Sequence, residues 1–524
     1  MKPIQSRGGE LFASSHANDT KLEIVREAID SIYRNGNGNH PASFTNLNRR
    51  HRFAKFALLS IAAVCGSFLT NTSSAADSVN ATAPPAATTA PVLPQKPAWL
   101  TDLSVGIKES YDDNIYLSGV VPTSATIPAG GVEALKNHSS WVTTVSPKVG
   151  FNFAPLLGDQ TIFQALTFGY APDFVTYHDA ETESYNAHRI AAAVKGHVDA
   201  FSFNLDNGFN YINGSKFGPD YSAGLNAYGT GILRERREQF QDRSTVTFKY
   251  DWEKWFVRPT ASLLYYDLDT AQLTAAAGGT GYQNYADRYD VNGGADVGYK
   301  LNKNLAVTLG YRYGHQYQQA YALAVDPYAQ SSTSDYQRVL LGLEGKLFSW
   351  LDVKLQGGPD FRSYDNSAPV SDYHPTTYYG EAALTATLSK QDTLSFNYRQ
   401  WRWVSSTGKV PYFDSLYDLN YKHKFNDKLS GNLEGRLLGS DYTSGLAAGA
   451  GSTPDHIVGN TNTRNDLFYT VSAGVQYAFN ANFSANLAYA YDFGRNAQDG
   501  LTAATVQPRE FDHQLVTLGV AFKF

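Results

Sequence analysis

The chain has 524 residues, with 35 Tyr, 29 Phe and 44 Gly, only 18% charged residues, and a single Cys and a single Met. One Cys excludes an intramolecular disulfide framework and a thiolate metal cluster, and a formal net charge of −6 argues against a general nucleic-acid binder, which carries a basic face. Aromatic and small residues in this abundance suit strands and turns better than helices, so the length is read as one large repetitive domain rather than three or four ordinary ones.

Residues 1–48 precede the first recognisable export signal. They are read either as an extension from a start set too far upstream, with Leu47 opening a signal peptide of ordinary shape, or as a short cytoplasmic piece with a helix over "TKLEIVREAIDSIYR", where Thr20 and Glu23 have capping-box spacing. Residues 49–76 are a signal peptide. Arg49, Arg50, Arg52 and Lys55 lead into "FALLSIAAVCGSFL", an apolar run shorter than the ~20 residues of a transmembrane helix. Ser74 and Ala76 then give a small-x-small cleavage pattern, so Sec-type export with a cut near Ala76 is expected. Cys65 falls within the removed segment, because Val64 stands where a lipoprotein site wants Gly or Ala. Removing residues 1–76 takes away nine Lys/Arg and five Asp/Glu and leaves an acidic product. Residues 77–98, "DSVNATAPPAATTAPVLPQKPA", are rich in Pro, Ala and Thr and are expected to be a flexible periplasmic leader without a core.

From Trp99 to Phe524 one texture repeats. Apolar residues alternate with polar or small ones for about ten residues and then break, which is the period-two signature of a strand with two different faces. In "FSFNLDNGFNY" Phe201, Phe203, Leu205, Phe209 and Tyr211 alternate with Ser202, Asn204, Asp206 and Asn210. The same grammar runs through "YDVNGGADVGYKL" (289–301) and "LAVTLGYRYGHQY" (305–317).

The breaks are of two kinds. Short ones fall at 302–304, 348–350, 389–392, 426–428 and 480–482, and long ones include 112–137, 213–234, 267–284, 318–335, 440–465 and 494–510. Their alternation predicts an all-β fold, a transmembrane up-and-down antiparallel β-barrel of about 18 strands with short periplasmic turns and long extracellular loops. Aromatic residues beside the short turns, such as Phe151, Phe153, Tyr421, Phe425, Phe479, Phe483 and Phe522, belong to an interfacial girdle. A soluble barrel would instead show Lys and Glu in quantity on one face.

An 18-strand barrel encloses an aqueous lumen unless something plugs it. Arg243, Arg312, Arg399 and Arg436 all stand seven or eight residues above a short turn on polar-face positions, with Glu381 and Asp418 at similar height. At ~3.3 Å per residue and a tilt near 40° this is on the order of 20 Å into an apolar band ~25 Å tall, where an Arg facing lipid would cost ~2–4 kcal/mol. These six side chains are therefore expected to line a pore and set its ion and solute preference, or else to neutralise one another as lumen salt bridges. The Gly-rich stretch 213–233 is a candidate to narrow the pore. "YDDN", Tyr111 to Asn114, reads as an oxygen ligand set for a hard cation or as a strand-to-loop turn. His188, His315, His423 and His513 lie on different strands with no nucleophile spacing, so no catalytic residue, metal site or cofactor is assigned.

The last residues, "VTLGVAFKF", resemble the C-terminal signal by which bacterial outer-membrane proteins are recognised by the barrel-assembly machinery, carried here by Thr517, Gly519, Phe522 and Phe524. "LSVGIKESYDDNIYLSG" looks like the opening strand of an outer-membrane β-barrel porin family of Gram-negative bacteria. The resemblance implies a bacterial outer-membrane location, lipid and the assembly machinery as partners, and passive diffusion of small hydrophilic solutes. Homo-oligomerisation is compatible with it. The alternative functions are an export or surface-assembly conduit for polysaccharide and, less in keeping with the sequence, a barrel enzyme.

Overall fold

A computed structural model of the chain divides into two units, Met1–Val92 and Leu93–Phe524, and all described residues lie in the second. These are 96–115, 117, 139–157, 162–214, 238–268, 287–319, 331–366, 368, 370, 372–404, 411–441, 464–498 and 511–524. The readings of residues 1–48 and of the signal peptide, nearly all of the leader, and nearly all of the 213–233 stretch fall outside them.

Eighteen strands follow one another: β1 (Leu100–Asp112), β2 (Ser140–Asn152), β3 (Phe163–Tyr177), β4 (Tyr185–Val198), β5 (Phe201–Asn213), β6 (Gln239–Asp251), β7 (Trp255–Asp267), β8 (Arg288–Lys300), β9 (Leu305–Gln318), β10 (Ser334–Phe348), β11 (Leu351–Tyr364), β12 (Thr376–Thr387), β13 (Asp392–Val404), β14 (Pro411–Lys424), β15 (Leu429–Asp441), β16 (Arg464–Ala478), β17 (Phe483–Gln498) and β18 (Phe511–Lys523). Each pairs antiparallel with its neighbours in sequence, and β1 pairs with β18 from Ser104↔Lys523 to Asp112↔Leu515. The sheet is thus closed and antiparallel throughout, as the alternation of breaks predicts.

Turn chemistry explains the short rim. Asn302, Asn426 and Asn480 each turn a side-chain oxygen onto backbone N–H groups two or three residues on, at 2.8–2.9 Å, the local bonding that makes Asn a turn residue. In the turn from β14 to β15, Lys424 bonds Asp427 and holds its carboxyl below the usual carboxylate range. Aromatic rings gather at this rim in close pairs: Phe151 with Phe153, Phe479 with Phe483 and Phe522 with Phe524, 4.6–5.6 Å between centroids. The girdle expected beside the short turns is present.

Strand parity separates two environments. Leu103, Ile107 and Tyr111 on β1, Leu309, Tyr311 and Tyr313 on β9, and Val516, Leu518, Val520 and Phe522 on β18 are exposed on the outside. Apolar side chains turned to solvent in such number have lipid as their proper surroundings. The alternate positions turn inward and carry the guanidinium–carboxylate pairs of Arg189, Arg258, Arg312, Arg338 and Arg362.

Candidate functional site: the lumen and its inward-leaning strand pair

The lumen is not lined evenly. On the arc from β7 to β11 two carboxylate-centred groups of arginine and acidic side chains tie five strands together. Asp296 lies between Arg258 at 2.9 Å and Arg312 at 2.7 Å, and Arg258 also reaches Glu344 at 2.9 Å. Asp360 lies between Arg338 at 2.7 Å and Arg362 at 3.1 Å. Small residues make the room. A side chain at Gly314 would collide with the ring of Tyr336, its cross-strand neighbour. Tyr336 is buried there, donates to Asp290 at 2.9 Å and carries the Arg338 guanidinium over its face at 4.0 Å.

The main structural event beside this arc is the course of β13. Its ladder with β12 begins at Thr387↔Thr393 and stops at Gly380↔Gln400, whereas its ladder with β14 continues through Trp403↔Tyr412 to Val404↔Pro411. Above Gln400 the strand leaves the wall. The Arg402 carbonyl accepts from Gln316 on β9 and from Arg362 on β11, both at 3.1 Å, and the Val404 carbonyl accepts from Arg288 on β8 at 2.7 Å. Neighbouring strands are about 4.8 Å apart, so β9 and β8 stand about 19 and 24 Å away from β13 along the wall. No Gln or Arg side chain spans that, so the upper ends of β13 and β14 must lean into the lumen. Trp403 and Tyr412 then pack together against Leu264 and Tyr266 of β7, and Arg288 lies between the rings of Tyr266 and Trp403 at 5.0 and 5.1 Å. Arg402 Nε donates to Tyr364 at 2.5 Å.

The six sequence-predicted lining residues fall into two groups. Arg312 is bound to Asp296. Glu381 accepts from Gln356 and from Tyr379, each at 2.6 Å. Arg399 faces Glu381 across the ladder yet, among the described residues, makes no hydrogen bond or ion pair, and its buried Nε has no partner. Its guanidinium lies over Trp401 at 4.6 Å. Asp418 and Arg436 are register partners, and Arg436 and Arg243 are exposed toward the lumen.

Sequence reasoning missed Arg258, Arg288, Arg338, Arg362 and Arg402. The first four sit on inward parity, and that parity was the available signal. Arg402 has the parity of the lipid-facing Tyr398 and reads as a violation. A strand that leaves the wall turns both of its faces inward, which removes the cost.

"YDDN" serves the closing seam. Asp112 accepts from His513 at 3.1 Å, His513 reaches Asp492 with its other nitrogen at 3.0 Å, Asp113 accepts the Gln514 N–H at 2.6 Å, and Asn114 donates to the Asp512 carbonyl at 2.8 Å. His423 and His315 contact carboxylates too, Asp392 at 2.7 Å and Asp335 at 2.8 Å, and His188 stacks between Tyr170 and Tyr211.

No family model matches this chain, and no curated protein does. Among solved structures it is similar to OpdO of Pseudomonas aeruginosa (11% identity, TM-score 0.37, covering 81% of this chain and 97% of that one). It is also similar to OccAB2 of Acinetobacter baumannii (12%, 0.38, 81% and 98%) and to the siderophore receptor PirA from Acinetobacter baumannii (10%, 0.37, 81% and 81%). Likeness at that level carries no argument, and the barrel rests on its own strand pairing.

Proposed function

We propose that this barrel is a porin-like channel of a bacterial outer membrane, open to passive diffusion of small hydrophilic solutes and ions. One observation carries the reading. In a closed barrel with an apolar outer face, Arg243, Arg399 and Arg436 project into the lumen without an ion pair among the described residues. Fixed charge at such positions attracts ions of opposite sign and repels those of the same sign, the ordinary basis of pore preference. Arg predominates there, so anions are favoured. Arg312 contributes little, because Asp296 already neutralises it.

The same reading has the chain exported with cleavage near Ala76 and inserted by the assembly machinery through Thr517, Gly519, Phe522 and Phe524. It assigns no catalytic residue and no cofactor.

Swelling of proteoliposomes in sugars of graded size tests the channel. Small sugars are expected to enter and long oligosaccharides to stay out, and swelling no faster than in protein-free liposomes would sink the proposal. Reversal potentials in a salt gradient test the lining. Replacing Arg399 and Arg436 by Ala shifts preference toward cations, whereas removing one charge of each sign together, with Arg312→Gln and Asp296→Asn, leaves it nearly unchanged.

A further inference from the structure

The upper ends of β12 and β13 hold a second pairing register that this conformation does not use. Their ladder keeps one register from Thr387↔Thr393 to Gly380↔Gln400. Two residues further it would set Tyr378 against Arg402, and four further Thr376 against Val404. Among the described residues neither pair is made. β12 still holds β11 there, through Pro359↔Tyr378 and Phe361↔Thr376, so its edge toward β13 is extended and ready to pair.

What β12 does not supply to β13, side chains do. In an antiparallel ladder the carbonyls of alternate residues point to the same neighbour. Arg402 and Val404 are two apart, and their carbonyls are the ones taken up by Gln316, Arg362 and Arg288. Those three donors occupy the place of a strand.

We propose that the upper β13–β14 pair is a two-position gate. In one position it docks inward on Arg288, Gln316 and Arg362 and narrows the lumen. In the other it zips onto β12 through Tyr378–Arg402 and Thr376–Val404, completes the wall and clears the passage. The inference rests on the channel reading. Either position gives the same two carbonyls a donor, so neither end state leaves them buried without a partner. The forces on the two sides differ in kind. Docking gains the stacking of Arg288 between Tyr266 and Trp403 and the Arg402–Tyr364 bond. Zipping gains ladder bonds for an open sheet edge, which a membrane wall does not tolerate against hydrocarbon. Zipping returns Arg402 to the outward parity of Tyr398, a cost that favours the docked position, and two discrete packings of one element make a bistable device.

The test is a cysteine pair, Thr376→Cys with Val404→Cys, in protein carrying Cys65→Ala. Val404 is buried in the docked position with its carbonyl on Arg288 of β8, so a 376–404 disulfide reports the zipped one. Ala382→Cys with Tyr398→Cys, register partners of the same parity in the existing ladder, is the control. Oxidation is expected to crosslink 376 to 404 more slowly than the control pair and to raise single-channel conductance, reversibly with reductant. A control that crosslinks while 376–404 does not overturns the gate, as does a crosslinked channel whose conductance is unchanged or lower. Arg288→Ala, which leaves β12 and β13 intact, is expected to increase the time spent at the higher conductance, and no change there would count against it. Crosslinking with no conductance in either form would remove the channel reading and leave only a two-position strand pair.

Discussion

Two seams of the barrel use the same antiparallel ladder and end in opposite ways. The β1–β18 seam joins strands some 400 residues apart, as the sequence separation of Ser110 and Thr517 illustrates, and it is paired beyond the ladder at both ends. Phe524 N–H reaches the Leu103 carbonyl at 2.8 Å on one rim, and Asp113 and Gln514 bond on the other. The β12–β13 seam joins consecutive strands, where a four-residue turn makes closure entropically cheap, yet it opens above Gly380↔Gln400. Nearness in sequence therefore does not decide how far a seam runs. Side chains decide it: Asp112, Asp113 and Asn114 prolong one ladder, whereas Arg288, Gln316 and Arg362 substitute for the other.

The contrast can be broken most forcefully at Arg362. It is fully buried among Gln316, Asp360 and the Arg402 carbonyl. Arg362→Ala leaves Asp360 with half its countercharge, and loss of one partner from a buried ion pair costs about 3–5 kcal/mol. The expected result is that much loss of stability on urea unfolding in lipid vesicles. Arg362→Lys recovers only part of it, because an ammonium does not reproduce the fork.

At the other seam, His513→Ala leaves Asp112 and Asp492 facing each other without their shared donor, which should cost about 1.5–3 kcal/mol by the usual worth of bonds to charged groups. Amide exchange locates the damage. Protection should fall at Ser110–Asp112 and at Leu515–Thr517 while the Tyr398–Gln400 amides stay as they were, and a uniform loss would deny that the seams are separate. Overpacking below the docked strands is next in size. Gly314→Ala meets the Tyr336 ring, and such strain costs about 1–3 kcal/mol. Smallest is Ser110→Ala, which removes one bond to Thr517 at 2.9 Å and should cost about 0.5–1.5 kcal/mol.

Much of the wall was legible because lipid outside and water inside impose opposite chemistry on alternate residues. Val516, Leu518 and Val520 could be assigned outward and Thr517 and Gly519 inward from the last strand alone, and the Asn turns at 302, 426 and 480 announced themselves by residue type. The lining arginines are proposed from parity and height, which are properties of one strand. Their partners were not legible. Whether Arg312 is free depends on Asp296 one strand away, and whether Arg399 is free depends on Glu381 being held by Tyr379 and Gln356. Least legible was the departure of β13. Nothing in the Gly380–Gln400 neighbourhood breaks the pattern, and the cause lies in donors two, four and five strands distant. One trace of it stood in "WRWV", where Arg402 sits on lipid parity between Trp401 and Trp403. An Arg at such a position has to find an inward route, and here the strand itself supplies it.

Single-channel conductance in planar bilayers, compared between Trp403→Ala and His513→Ala, tests the central claim most directly. Truncating Trp403 frees Arg288 and loosens the inward-leaning pair, whereas His513 holds a seam that does not narrow the passage. The prediction is a higher conductance for Trp403→Ala and an unaltered one for His513→Ala. Equal conductance in both variants and the parent, or no conductance from the parent barrel at all, would contradict the account.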